Sequence, residues 1–117
     1  PDVECKLERD KKDTILRVTR IISDPLNGFE TENFSTLSSI FVNYNYNGKE
    51  FLMDDVRFWS EIESSSKEYK DTKVNNTDGE TMSIEWRIST KFLGEKVVFI
   101  FTDVYGNDVT ISLSKEK

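Results

Sequence analysis

The chain has 117 residues, 36% of them hydrophobic, and its 22 acidic against 16 basic side chains give a net charge of −6. We expect a single globular domain over residues 1–117, and no apolar run approaches the roughly 20 residues that span a bilayer. The negative charge disfavours autonomous nucleic-acid binding, which depends on phosphate contacts. A single cysteine excludes an internal disulfide, and the absence of histidine removes the commonest general base and metal ligand.

Two β-rich segments open the chain and predict a first hairpin. The first begins at Cys5, the second spans residues 14–22, and residues 11–13 form the turn between them. A proline and an Asn-Gly pair then break the pattern at residues 24–28, because proline removes a ladder donor and Asn-Gly favours left-handed turn geometry. Residues 29–39 fit either a long loop or a short helix.

Alternation over residues 40–46 predicts a second hairpin, with an apolar face formed by Ile40, Val42, Tyr44 and Tyr46. Asn47-Gly48, directly after this strand, is a strong signal for a two-residue hairpin turn. The partner strand is expected from residue 50 to residue 58 or 59, with a bulge or bend at its two adjacent aspartates.

The second half of the chain predicts a connection, a strand and a closing hairpin. Residues 61–72 are charged and serine-rich, and we expect an exposed connection with a helical turn at most. After a turn cluster at residues 75–79, residues 82–88 alternate as a half-buried strand, with Trp86 on the apolar face and therefore in the core. Residues 97–113 predict the closing hairpin, whose first strand is apolar on both faces and whose turn is Gly106-Asn107.

Together these segments give seven or eight short strands with turn signals between them and no long helical period. That pattern is typical of an all-β fold, an immunoglobulin-like β-sandwich of antiparallel strands.

We find no motif that carries catalysis: G-x-S-x-G, G-x-x-x-x-G-K and H-E-x-x-H are all absent from the sequence. Asp103, Asn107 and Asp108 flank one turn and leave calcium binding open, although no calcium loop of the D-x-D-x-D-G type is present. Turn capping is the simpler explanation. We therefore expect no catalytic residue, no cofactor and no metal site, and a chain that is not an enzyme on its own.

Three residues are candidates for contact with a partner. Trp59 follows Phe58 directly, so in a strand the two rings point to opposite faces and one of them is exposed; we favour Trp59. Arg57 belongs to a set of arginines that form either a basic patch or a scatter of solvated charges, the set being Arg17, Arg20, Arg57 and Arg87. Tyr105, beside the closing turn, is the third candidate.

Two blocks resemble a known module. Residues 40–51, IFVNYNYNGKEF, are similar to an I-D-Y-D-Y-D-G-E-x-F stretch, and residues 97–110, with TDVYGND at their centre, are similar to a closing V-D-I-F-G-N-D-T hairpin. Both stretches belong to an accessory domain near the C-terminus of some bacterial adenine-specific DNA methyltransferases, which are related to the modification subunits of type III restriction systems. This sequence has Asn43, Asn45 and Asn47 where that module has aspartates.

The resemblance implies an Ig-like accessory domain, excised from a longer protein, that acts in subunit assembly or target positioning. The methyltransferase's glycine loop and its D-P-P-Y or N-P-P-Y motif are absent here, so no catalytic residue carries over. The expected partners are other domains or subunits of the parent protein, with DNA contacted only indirectly, no membrane, and a cytoplasmic location. The alternative is an extracellular or cell-surface Ig-like adhesion or carbohydrate-binding module.

Overall fold

The computed structural model describes residues 1–23, 31–32, 34–64, 69–77 and 81–115, and it places most of them in two antiparallel β-sheets. Sheet A has the order β1-β2-β7-β6, formed by Asp2–Asp10, Asp13–Ser23, Thr81–Ser89 and Thr72–Thr77. The two-residue strand β3, Thr31–Glu32, also pairs with β2. Sheet B has the order β5-β4-β8-β9, formed by Asp55–Phe58, Leu37–Asn43, Lys96–Asp103 and Asp108–Ser114.

The order of the strands is that of an immunoglobulin-like sandwich. In such folds the first, second, fifth and fourth strands form one sheet, and the third, sixth and seventh form the other. Here β1, β2, β7 and β6 form the first sheet, and β4, β8 and β9 form the second, with β5 added beside β4. The predicted all-β sandwich is therefore confirmed.

The core lies between the sheets and follows from the alternation of each strand. Sheet A contributes Leu16, Val18, Ile84, Trp86 and Ile88, and sheet B contributes Ile40, Val42, Phe99 and Phe101. The predicted burial of Trp86 is confirmed, and its ring meets the ring of Phe99 edge-on at 6.2 Å. Because burying one large apolar side chain contributes about 1.5–3 kcal/mol, this layer is the main source of stability.

The second hairpin differs from the prediction. Strand β4 ends at Asn43 rather than at residue 46, because Asp54 Oδ2 accepts hydrogen bonds from Asn43 Nδ2 (3.1 Å) and from the Tyr44 N–H (2.7 Å). The backbone then turns toward the start of β8, where Tyr46 N–H donates to the Lys96 carbonyl at 2.9 Å. Asn47-Gly48 therefore lies within a longer loop, and β5 begins only at Asp55.

The closing hairpin is confirmed, but its turn is longer than expected. Residues 104–107 connect β8 to β9, with Gly106 at φ 87°, a conformation that favours glycine. Asp103 fixes this turn, because its Oδ1 accepts hydrogen bonds from the N–H groups of Tyr105 (3.0 Å) and Asn107 (2.9 Å). Asp103 thus has the turn-capping role that the sequence suggested as the alternative to calcium.

Helices are short. The helix α1, Trp59–Glu63, follows β5 directly, and its Ile62 is buried in the core. Two 3-10 turns, Phe34–Thr36 and Thr90–Phe92, flank strands, and the first is the short helix allowed by the sequence between residues 29 and 39. The turn cluster predicted at residues 75–79 is wrong at its start, because residues 75–77 belong to strand β6. Residues 78–79 and the predicted break at residues 24–28 lie outside the described residues.

Candidate interaction surface

The outer face of sheet A is covered by ion pairs. Residues paired in register share a face, so alternate positions of the four strands place acidic and basic side chains next to one another. Arg17 lies between Glu8 (3.0 Å) and Glu85, and Arg87 contacts Asp10 (2.9 Å) and Asp13 (3.2 Å). Charge on this face is therefore balanced within the face itself.

The middle of the outer face of sheet B consists of uncharged side chains, whereas Asp108 lies at its β9 edge and the Asp54 carboxylate contacts Asn43 at the β5 edge. Its middle row comprises Val56, Phe41, Ile100 and Thr110, which are paired across the four strands in that order. Phe58, Ser39 and Thr102 lie one row away toward α1, and Asn43, Val98 and Ser112 lie one row away in the other direction. We call these ten residues the B face; no ion pair joins any of them in the part of the chain that the structure describes.

The centre of the B face is apolar and partly accessible. Phe41, Val56 and Ile100 are half-buried, and Phe58 at the β5 edge is 46% exposed. Ser39 and Thr102 pair their hydroxyl groups with each other at the edge of this centre. Apolar side chains that cluster within a polar rim are characteristic of protein-binding surfaces.

Opposite charges stand at the two ends of the B face. Asp108 is paired in register with Thr102 at the end near the closing turn, and Lys96 precedes Val98 by two residues at the other end. Both side chains are exposed, and neither has an ion-pair partner among the described residues. At about 3.3 Å per residue, the six residues from Thr102 to Lys96 separate these charges by roughly 20 Å.

Arg57, expected as a partner contact or part of a basic patch, lies in the interior instead. Its residue is 6% exposed, and its guanidinium lies between the rings of Tyr69 (4.6 Å) and Trp86 (4.5 Å). It donates to Thr72 Oγ1 at 3.0 Å and pairs with Asp71 at 2.8 Å and Asp55 at 2.9 Å. Burial opposes the charged form, but hydrogen bonds to Asp71 and Asp55 outweigh it and raise the pKa of Arg57. Arg57 therefore joins β5 of sheet B to the β6 side of sheet A.

The other candidates divide between the surface and the interior. Trp59 begins α1, is half-buried, and stacks on Phe34 at 6.2 Å, whereas its neighbour Phe58 is the exposed ring of the pair. Our choice between the two rings is therefore reversed, because a helix rather than a strand begins at Trp59. Tyr105 is 45% exposed in the closing turn, and its contact with a partner stays a prediction.

Aromatic rings also meet at the end of the sandwich where β4 meets the start of β8. Tyr44 stacks on Phe92 at 6.1 Å, and Phe92 is 56% exposed. Burial and the nearby Asp55 carboxylate raise the pKa of Tyr44 to about 12. Gly94 allows this close packing, because a Cβ atom there would overlap the side chain of Asn45.

The sequence contained a signal for the B face that the alternation rule did not use. Residues 40–42 and 97–101 are continuous apolar runs, so their strands carry apolar side chains on both faces. Phe41, Val98 and Ile100 are the members of those runs that point away from the core. Only the pairing of β4 with β8 places them together.

No group of three or more histidine, cysteine, aspartate or glutamate side chains that could hold a metal ion occurs among the described residues. A depression of about 160 Å³ on the outer face of sheet A is lined by Ile15, Lys70, Asp71, Lys73, Glu85 and Arg87. A search of the described ranges finds no helix long and apolar enough to cross a membrane.

Comparisons with known proteins leave the chain without a family assignment. We find no significant match to it among protein-family models, curated proteins or solved structures.

Proposed function

We propose that this chain is a non-catalytic accessory domain that binds a protein partner through the B face. The observation that carries the proposal is the uncharged row Val56–Phe41–Ile100 at the centre of an outer sheet face. In a chain with a net charge of −6, whose opposite face is covered by ion pairs, such a row is a local exception. Charged residues are depleted in the same way at the centres of protein interfaces.

We further propose that the parent protein is an adenine-specific DNA methyltransferase and that the domain serves subunit assembly or target positioning. The resemblance of residues 40–51 and 97–110 to the methyltransferase module supports this proposal. The two blocks include most of β4 and β8, which are adjacent in sheet B. In this proposal DNA is contacted only by other parts of the enzyme, in the cytoplasm.

The reading frame that encodes the chain tests the parent. We expect it to contain a D-P-P-Y or N-P-P-Y motif and a cofactor-binding glycine loop. A frame without them contradicts the methyltransferase proposal, and a frame with a secretion signal and a cell-wall anchor supports the surface-adhesion alternative instead.

The B face is tested in that parent enzyme by Ile100→Lys, which places a charge in the centre of the uncharged row. Since every 1.4 kcal/mol changes an equilibrium constant tenfold, burying this unpaired charge should weaken subunit or domain association at least about tenfold. Thr19→Lys is the matched control, because Thr19 is exposed on β2 of the other sheet. Association is measured by sedimentation and the methylation rate by product formation. Equal behaviour of the two variants contradicts the assignment of the B face.

A further inference from the structure

Three of the four strands at the edges of the sheets have features that block the addition of a further strand. In sheet A, β1 carries exposed charges at alternate positions and a register shift between Glu4 and Cys5, and β6 is packed against α1. In sheet B, β5 has only four residues and leads directly into α1. Exposed charge, irregular register, short length and cover by a helix are the means by which proteins prevent edge pairing.

Strand β9, the fourth edge, has none of these features. Its seven residues, DVTISLS, include a single charged side chain, Asp108, at the first position and no proline. Its register with β8 is continuous from Asp108 to Ser114. Strand β1 approaches β9 from sheet A, but β1 is paired with β2 along its whole length. Within the described ranges, β9 is therefore paired on one side only.

Hydrogen bonds at both ends of the β8–β9 ladder show which backbone groups lie on the free side of β9. The Asp103 N–H donates to the Asn107 carbonyl at 2.9 Å, and the Lys115 N–H donates to the Glu95 carbonyl at 3.2 Å. Both bonds keep the register of the ladder, so the odd-numbered residues of β9 bond to β8. The backbone N–H and C=O groups of the even-numbered residues point away from β8, and these residues are Asp108, Thr110, Ser112 and Ser114.

The side chains of β9 are arranged almost symmetrically about Ile111. Val109 and Leu113 flank it on the core side, and all three are half-buried and pack against the core. Thr110 and Ser112 flank it on the outer side, where both are exposed. A strand that runs antiparallel to β9 and has the same sequence therefore meets apolar residues with apolar residues and hydroxyl groups with hydroxyl groups.

We propose that β9 pairs antiparallel with β9 of a second copy of this chain, with Ile111 of each copy on the twofold axis. Thr110 of one copy then lies opposite Ser112 of the other, and Asp108 lies opposite Ser114. These are the residues whose backbone groups point outward, so the pair forms about eight hydrogen bonds. Such a symmetric pair belongs to the commonest class of protein dimer and joins the two copies of sheet B into one continuous sheet.

Other registers of the same two strands are less favourable. A shift by one residue places outward backbone groups opposite residues that already bond to β8. A shift by two residues leaves either Asp108 or Ser114 of each copy unpaired and forms about six hydrogen bonds. Only the register centred on Ile111 pairs all seven residues, and it places no two like charges opposite each other.

The length of β9 determines the strength of the pair. Seven residues at about 3.3 Å each give a contact roughly 23 Å long, which is small beside a standard interface of about 800 Å² on each partner. The net charge of −6 on each copy opposes approach at low ionic strength, but at 0.15 M salt this repulsion is screened beyond about 8 Å. We therefore expect a weak and reversible dimer.

Ser112→Pro tests the pairing, because it removes an N–H group that points away from β8 and leaves the β8–β9 ladder intact. Sedimentation velocity over a concentration series at about 0.15 M salt should show a reversible monomer–dimer equilibrium for the wild-type chain. Ser112→Pro should weaken dimerisation at least about tenfold, since the change occurs at two symmetric positions. Ser112→Ala is the matched control, because it keeps the N–H group, and its dissociation constant should stay within about threefold of the wild-type value.

Two double variants test the register. Thr110→Lys combined with Ser112→Lys places like charges opposite each other and should weaken dimerisation at least about tenfold. The two added lysines also reduce the net negative charge, which favours association, so weakening is not a net-charge effect. Thr110→Lys combined with Ser112→Glu is the matched control. It places opposite charges across the pair and should keep the dissociation constant within about threefold of the wild-type value.

Three results would overturn the proposal. One is a wild-type chain that stays monomeric at the highest soluble concentration, and another is equal dimerisation of the wild type and the two-lysine variant. The third is a loss in Ser112→Ala as large as in Ser112→Pro, which indicates side-chain contact without strand pairing. Circular dichroism checks that Ser112→Pro is folded, and the two-lysine variant decides if it is not. The B face is judged separately, by Ile100→Lys in the parent enzyme.

Discussion

The outer faces of the two sheets differ in how their apolar side chains are covered. On sheet A, Arg17 and Arg87 each contact two carboxylates, and the long charged side chains lie over Ile15, which is only 8% exposed. On sheet B the corresponding central positions are Phe41 and Ile100, and no charged side chain of the described residues pairs above them. The apolar surface on the outer face of sheet A is therefore covered within the chain, whereas sheet B leaves apolar surface in contact with solvent.

This difference is the reason for placing the proposed partner surface on sheet B rather than on sheet A. The stems of arginine and lysine cover apolar surface while their charged ends stay in water, so an ion-paired face needs no further cover. Exposed ion pairs of this kind add little stability individually, and their presence mainly keeps the face soluble. The proposal of a partner surface on the B face rests on the lack of such pairs there among the described residues.

The largest expected effect on the free energy of unfolding distinguishes the buried Arg57 from the exposed Arg87. Replacing Arg57 with methionine should lower the free energy of unfolding by about 1.5–3 kcal/mol, because it removes the hydrogen bonds of a buried guanidinium to Thr72, Asp71 and Asp55. Arg87→Met removes two carboxylate contacts from the outer face of sheet A, and we expect a change close to the error of the measurement. Urea unfolding followed by tryptophan fluorescence compares the two. Similar losses contradict our distinction between interior and surface ion pairs.

A smaller effect compares one isoleucine from each outer face. Ile15→Thr should destabilise the monomer by about 1–2 kcal/mol, since it removes apolar surface that is already buried under charged stems. Ile100→Thr should cost about 1 kcal/mol less, because Ile100 keeps part of its surface in water. Unfolding is measured at a protein concentration low enough to keep the chain monomeric. A larger loss at Ile100 shows that the B face is already covered within one copy.

The smallest expected effect is a pH dependence of the stability that arises from Glu8 on sheet A. A hydrogen bond from Lys6, with further support from Arg17, lowers the pKa of Glu8 below its ordinary value of 4.5. A lowered pKa in the folded state stabilises the protein above that ordinary value, and the contribution is lost as the pH falls through the folded-state pKa. Glu8→Gln should therefore flatten the acid limb of the stability curve measured between about pH 3 and pH 6. Lys6→Met should flatten it in part, and an unchanged limb in Glu8→Gln contradicts this role.

Hairpins and core positions were predictable from sequence because they depend on local rules. Alternation assigned Trp86 to the core, and a run of β-formers closed by turn residues gave the β8–β9 hairpin. The end of β4 was not predictable, since it depends on Asp54, which approaches Asn43 and Tyr44 only in the folded chain. The burial of the Trp59 ring was not predictable either, because it depends on α1. A five-residue helix is too short to show a periodic pattern in the sequence.

The sequence by itself determined that this chain is an acidic, all-β sandwich, because charge, alternation and turn chemistry are properties of short segments. Tertiary structure decided which side chains share a surface. It moved Arg57 from a candidate contact into the interior, since a guanidinium between two rings and two carboxylates is stable there. It also placed Phe41 beside Ile100, which are 59 positions apart in the chain, because only the pairing of β4 with β8 brings them into one row.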